Sequence, residues 1–136
     1  MGEVYVRVRL SNNTDVEMVE RGLLPPDQVR TCEVEALVDT GATRSIIPSE
    51  VAHRLGLSIH DRTFGRLADG SRVPVSATGA IRFEIYDRVT VEDAFVLGDE
   101  VLIGQTVLES TDLLVDCTNR RVIPNPAHPD GPTFRL

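Results

Sequence analysis

Tryptophan is absent, and aromatic residues make up only 4% of the 136-residue chain. An aromatic core is therefore ruled out. The interior must be packed from Val, Leu, Ile and Ala, whose β-branched share suits strands. Cysteine is scarce too. Cys32 and Cys117 lie far apart with no CxxC pair, and His53, His60 and His128 share no ligand spacing. This argues against a zinc site or dithiol redox motif, so neither a metal nor a cofactor is expected. Both thiols are expected to be buried and inert, and the histidines to be ordinary surface or helix residues. Positive charge is in short supply: 14 Lys and Arg stand against 21 Asp and Glu, a formal net charge of -7. Nucleic acid and anionic membranes demand neutralisation by basic groups, and both are discounted as partners. No run of about 18 apolar residues offers a membrane span. The start, MGEVYVRVRL, lacks the charged and apolar regions of a signal peptide, so the expected location is the cytoplasm. No internal repeat is visible. The length and the 41% hydrophobic content predict one soluble domain over residues 1–136.

What is present is strand pattern. Val4, Val6, Val8 and Leu10 alternate with Tyr5, Arg7 and Arg9, the period of two of a half-buried strand. Residues 11–30 contain Gly22 and Pro25-Pro26 and are expected to form an exposed loop insertion with at most a short helical turn. TCEVEALVDT resumes strand character, with both faces apolar at Leu37-Val38, so the strand runs inward as it reaches Asp39. PSEVAHRLGL reads as a short helix with Ser49 as its cap and Gly56 as its stop. RLADGSRVPV places Asp69-Gly70 between two strand-like arms, the pairing favoured in two-residue hairpins whose turn residues both need positive φ. AIRFEIYD alternates, VTVEDAFVLGDEVLIG supplies two more strands, QTVLEST a short helix, and LLVD and RVIPN further strand character. From about residue 124 onward four prolines predict an extended or loose tail.

Within this frame LVDTGATRSIIP, residues 37–48, poses a chemical question. A carboxylate at the end of an interior strand is destabilised unless it is paired, hydrogen-bonded or protonated. In one reading Asp39 is an Asx-turn residue whose carboxylate accepts N–H bonds from Gly41 and Ala42. In a second, strand-Asp-x-Gly is the phosphate loop of actin-like and sugar-kinase ATPases. That fold needs two large domains and a second glycine-rich loop, which 136 residues do not hold.

In a third reading the pattern resembles the retropepsins, the single-lobe aspartic protease family that includes retroviral proteases. The resemblance rests on Ala36-Leu37-Val38, then Asp39-Thr40-Gly41-Ala42, Ser45 and Ile46-Ile47. It continues about 60 residues later with Leu102-Ile103-Gly104 followed by Val107-Leu108, and ADGS at 68–71 lies in the interval where the family carries its flap. The helix PSEVAHRLGL is similar to bacterial and other cellular members. Retropepsins commonly place an acidic residue or Asn after the Ala and an Arg after the second glycine. Here these are Thr43 and Gln105, so both members of the usual ion pair are neutral.

The resemblance implies a mainly β acid-protease barrel with one or two short helices and a flap hairpin, active as a homodimer on peptide or protein substrates. It implies Asp39 as the catalytic residue, with Thr40, Gly41, Ala42 and Ser45 in support. Leu37, Leu67, Val73 and Leu102 become candidate subsite walls, joined by Thr43 and Gly104 and by Ala68, Asp69 and Gly70 at the flap tip. Glu100 is a candidate for facing the groove and favouring a basic side chain. The alternative, from a different class, is a non-catalytic dimeric scaffold or peptide-binding module on the same fold.

Overall fold

The computed structural model describes residues 2–136, with position 61 described by its backbone alone. The alternating N-terminal segment forms strand β1 (Tyr5–Asn12), with Val6, Val8 and Leu10 buried and Tyr5, Arg7 and Arg9 outward. Strand β2 (Thr31–Val38) pairs antiparallel with it in the register Val8↔Val34, which buries Cys32 and Ala36 on the same face. On its other side β1 pairs antiparallel with β6 (Ile81–Ile85), Leu10 opposite Phe83, and β6 continues into β7 (Arg88–Glu92).

The rest of the large sheet is built around short strands. These are β3 (Ile46–Ile47), β8 (Phe95–Val96) and β9 (Leu102–Ile103), together with the long hairpin of β4 (Ile59–Arg66) and β5 (Arg72–Thr78). The nine strands run in the order β4-β5-β8-β3-β9-β2-β1-β6-β7. Helices α2 (Ser49–Arg54) and α3 (Gln105–Thr111) contribute Val51, Ala52, Val107 and Leu108 to the core, beside Val8, Leu10, Ile47, Leu55, Phe83, Ile85 and Ile103. Phe83 is the one aromatic side chain in this core among the described residues, and the rest of it is almost entirely aliphatic, as the composition requires. A separate antiparallel pair, β10 (Leu113–Asp116) and β11 (Arg121–Pro124), follows α3. Among the described residues no helix is long and apolar enough to cross a membrane.

Several local expectations are corrected. Residues 11–30 are not a loop throughout: α1 (Asn13–Glu20) and a 3₁₀ turn at Pro26–Gln28 lie within them. Asn12 caps α1 by accepting from Asp15 N–H at 3.1 Å, while its Nδ2 donates to the carbonyls of Leu55 at 2.9 Å and Gly56 at 3.3 Å. Asp15 is buried and accepts from Arg30 through Nε at 2.9 Å, Nη2 at 2.9 Å and the backbone N–H at 3.0 Å. This fork fastens the insertion to the start of β2. Ser49 is the first residue of α2 rather than its cap; Pro48 holds the cap position with no side-chain bond. The hairpin turn is also different. Leu67 N–H donates to Ser71 O and Gly70 N–H to Leu67 O, with positive φ at Gly70 alone, the three-residue loop in which a type I turn precedes one left-handed residue.

The first four residues beyond β11, 125–128, are pinned where a loose tail was expected. Asn125 Nδ2 donates to Asp112 Oδ1 at 3.0 Å, and His128 Nδ1 lies 2.5 Å from Asp112 Oδ2. The buried Arg88 guanidinium donates to the carbonyls of Asp112 and His128. The hydrogen bonds from Asn125 and His128 hold the Asp112 carboxyl below the usual aspartate value. His128 is thus a structural partner rather than an ordinary surface residue, and Cys117, expected inside, is exposed while Cys32 is buried.

The Asp15 fork has a testable pH dependence. Hydrogen bonding to Arg30 lowers the Asp15 pKa from its ordinary 3.8, so the folded state favours the ionised form. Its contribution is therefore fully present above 3.8 and is lost as pH falls through the lower folded-state value. Asp15→Asn is expected to lower the urea midpoint at neutral pH, with the gap from wild type closing in acid. A gap that stays constant with pH would contradict this assignment.

Candidate active site

Asp39 follows β2 at the point where that strand pairs in parallel with β9, Leu37 opposite Leu102 and Val38 opposite Ile103. Backbone bonds fix it there: Asp39 N–H donates to Ile103 O at 3.0 Å and Leu37 N–H to Val101 O at 2.9 Å. The carboxylate is partly held by its own loop. Oδ1 accepts Gly41 N–H at 2.9 Å, while Ala42 N–H turns to the Asp39 backbone carbonyl at 3.2 Å. An Asx-turn is therefore present, and it leaves Oδ2 without a hydrogen bond among the described residues.

Residues 40–45 fold back across the junction of β9 and α3. Ser45 is fully buried and its Oγ accepts Gly104 N–H at 3.0 Å. The first two N–H groups of α3 have no partner within the helix. Gln105 donates to Ala42 O at 2.8 Å and Thr106 to Thr43 O at 3.1 Å, so the loop supplies the missing acceptors. Gly104 permits the crossing. A Cβ there would lie 2.6 Å from the Arg44 carbonyl carbon, 2.7 Å from its oxygen and 3.0 Å from Ala42 O.

Above this loop lies a cleft of about 530 Å³. Its floor carries Asp39, Gly41 and Ala42, one side carries Ile46, Leu97, Gly98, Asp99, Glu100 and Leu102, and Arg66, Leu67 and Ala68 reach it from the end of the β4-β5 hairpin. Of the residues named from the sequence, Asp39, Gly41, Ala42, Leu67, Ala68, Glu100 and Leu102 line this space together. The others do not. Leu37 is half-buried on β2, and Thr43 is exposed. Thr40 borders a different depression with Gln105, Leu108, Leu113 and Leu114. Val73 sits half-buried on β5, outside the lining. Asp69 spends its carboxylate on Ser71, accepting from N–H at 2.8 Å and Oγ at 2.6 Å, which holds its pKa low. Gly70 supplies the turn's left-handed residue and the carbonyl that Arg66 Nη1 reaches at 2.9 Å.

Sequence reasoning missed Ile46, Arg66, Leu97, Gly98 and Asp99 as lining residues. A signal existed for the last three, since Leu97-Gly98-Asp99-Glu100 separates the apolar pairs Phe95-Val96 and Val101-Leu102. Also missed was where charge sits behind the loop. Gln105 donates to Glu109 Oε1 at 2.9 Å, and the ion pair of this region lies one residue beyond Thr43, between Arg44 and Asp93.

With this geometry described, comparison with known proteins places the molecule. A family model described as "gag-polyprotein putative aspartyl protease" matches residues 28–110, and the chain belongs to that family. No curated protein matches the sequence significantly. The fold is similar to that of EIAV protease complexed with the inhibitor HBY-793, at 17% identity and TM-score 0.52, covering 79% of this chain and 86% of that one. It is also similar to the retroviral protease-like domain of Ddi1 from Leishmania major, at 16% identity and TM-score 0.58, covering 99% and 96%. The mainly β, retropepsin-like fold expected from the sequence is the one observed, with three short α-helices rather than one or two.

The lock between loop and helix makes two variants informative. Ser45→Ala leaves Gly104 N–H buried without an acceptor and should destabilise the fold by about 1–3 kcal/mol. Gly104→Ala forces the Arg44 and Ala42 carbonyls apart and should cost a similar ~1–3 kcal/mol, with the displacement falling on residues 39–45. Denaturant titration measures both. Wild-type stability in either variant would show that the crossing is looser than described.

Proposed function

We propose that the protein is an aspartic endopeptidase that works as a homodimer, the 136 residues forming one domain of which two copies make one active site. The observation that carries this reading is a single Asp-Thr-Gly per chain, its aspartate set on the floor of an open cleft with one carboxylate oxygen tied to Gly41 N–H. Family membership supports the same reaction class.

One carboxylate cannot both activate water and polarise a peptide carbonyl. Two that meet across a two-fold axis can, because like charges so close do not both ionise and the pair shares one proton. The ionised Asp39 takes a proton from water as the oxygen attacks the carbonyl carbon, and its protonated mate donates to the carbonyl oxygen. A tetrahedral diol results. Asp39 then returns its proton to the amide nitrogen while its mate takes one from a diol hydroxyl, so the C–N bond breaks and an acid and an amine are released with the shared proton restored. Thr40 at the exposed margin of the loop is assigned to holding the paired loops together. Gly41 and Ala42 give the substrate backbone close access, and Ser45 keeps the loop seated on Gly104. The hairpin of β4 and β5 is assigned as the flap, with Leu67 to Gly70 at its end. Leu102 lines the substrate path, and Thr43, Leu37, Val73 and Gly104 act at its margins or in its support.

Incubation with a diverse peptide library, read by mass spectrometry, tests the reaction. Asp39→Asn should lose about a thousandfold or more in kcat/KM while keeping its fold, since it preserves shape but removes the charge and the shared proton. Cleavage at the wild-type rate would overturn the assignment. Binding without cleavage by the wild type would favour the non-catalytic peptide-binding module. Hydrogen exchange tests the flap: residues 67–71 should exchange fast in the free protein and slow down when a non-cleavable peptide binds. Unchanged protection at saturation would remove the flap role.

A further inference from the structure

The cleft is chemically lopsided in a way that its role in peptide hydrolysis does not require. Its apolar surface comes from Ala42, Ile46, Leu67, Ala68, Leu97 and Leu102. Its charge comes from three carboxylates, Asp39, Asp99 and Glu100, against one guanidinium, Arg66. That guanidinium is engaged with the hairpin's own turn through Gly70 O at 2.9 Å and makes no ion pair with Asp99 or Glu100. Asp99 and Glu100 are exposed on the connection between β8 and β9, and neither makes an ion pair or hydrogen bond among the described residues. The left-handed Gly98 starts this connection with φ 72°, and nothing lies within 4 Å of where its Cβ would be. Side chains with aliphatic character at Leu97 and Leu102 thus flank two carboxylates that have no cationic partner among the described residues, all in the space that holds Asp39.

Resting on the endopeptidase reading for the bond that is cut, we propose that this wall selects peptides carrying lysine or arginine close to the scissile bond. A long basic residue has the two parts such a wall accommodates. Its methylene stem lies along Leu97, Leu67 and Leu102, and its cationic head reaches Asp99 and Glu100 at the mouth, where it stays partly hydrated. Acidic side chains at the same position meet two like charges, and the one guanidinium of the cleft, Arg66, is turned to the Gly70 carbonyl, so they are disfavoured by repulsion. The chain's net charge of -7 adds a general attraction for cationic peptides. In the homodimer the two-fold axis repeats the wall on the other side of the Asp39 pair, so a peptide with basic residues on both sides of the bond engages both copies.

The experiment separates recognition from chemistry. Peptides identical except for Lys, norleucine or Glu at one position are bound to the Asp39→Asn protein by fluorescence anisotropy, and the same set is offered to the wild type for cleavage. Norleucine retains much of the stem and removes the charge. The Lys peptide should bind about three- to tenfold tighter than the norleucine peptide at low salt, and the Glu peptide weakest. The preference should shrink at about 0.5 M salt. The double variant Asp99→Asn, Glu100→Gln, placed on the Asp39→Asn background, should bring the Lys to norleucine ratio near one; circular dichroism checks its fold. Norleucine equal to or better than Lys, a Lys preference that survives the double variant, or no binding by any peptide of the set would overturn the proposal. A Lys preference in binding with no cleavage by the wild type would leave the selectivity standing and bring down the endopeptidase reading.

Discussion

The structure turns on one crossing, where residues 40–45 pass over the junction of β9 and α3. Ser45 Oγ takes Gly104 N–H, Ala42 O and Thr43 O take the first two N–H groups of α3, and Gly104 has no Cβ to hold the chains apart. Ser45 and Gly104 are buried, so the Gly104 N–H is a polar group that burial would otherwise leave unpaired. Making these bonds fixes the loop in one arrangement. Asp39, one strand pairing away, inherits that rigidity through its own bond to Ile103 O. The position of the carboxylate is thus set by backbone hydrogen bonds and by the absence of one methyl group, not by ion pairing around it.

The charges near the loop stand behind it. Arg44 pairs with Asp93 and lies over the Phe95 ring at 5.9 Å, which links the loop to β8 and the segment before it. Thr43 and Gln105 are neutral, so no charge is stranded where the family's pair is usually found. The cleft side holds Asp99 and Glu100, which make no ion pair among the described residues, and Arg66, which donates to the Gly70 carbonyl.

How far the sequence revealed this depends on the range of each interaction. The alternation of Val6, Val8 and Leu10, the apolar run into Asp39, and Leu102-Ile103-Gly104 are local patterns, and each led to the element it belongs to. The Asp15-Arg30 fork was invisible because its partners lie on opposite sides of the Gly22 and Pro25-Pro26 signals, which read as a loop when no tertiary partner is known. The pinning of Asn125 and His128 to Asp112 depends on a left-handed residue after α3, which no propensity marks at an aspartate. The hairpin turn failed at finer scale: Asp-Gly suits a two-residue turn, but Ser71 bonding to Asp69 and Arg66 bonding to Gly70 O belong to the longer one. Leu97 and Asp99 were missed because a cleft wall is defined by what faces it across the fold.

The central claim is that one active site needs the Asp39 of two copies. Mixing wild type with Asp39→Asn in equal amounts, with time for subunits to exchange, tests it directly. If both carboxylates are required, only dimers with two wild-type copies cleave peptide, and activity relative to the same total of wild type falls to about one quarter. Retention of about one half, the proportion expected when each copy acts on its own, would contradict the account.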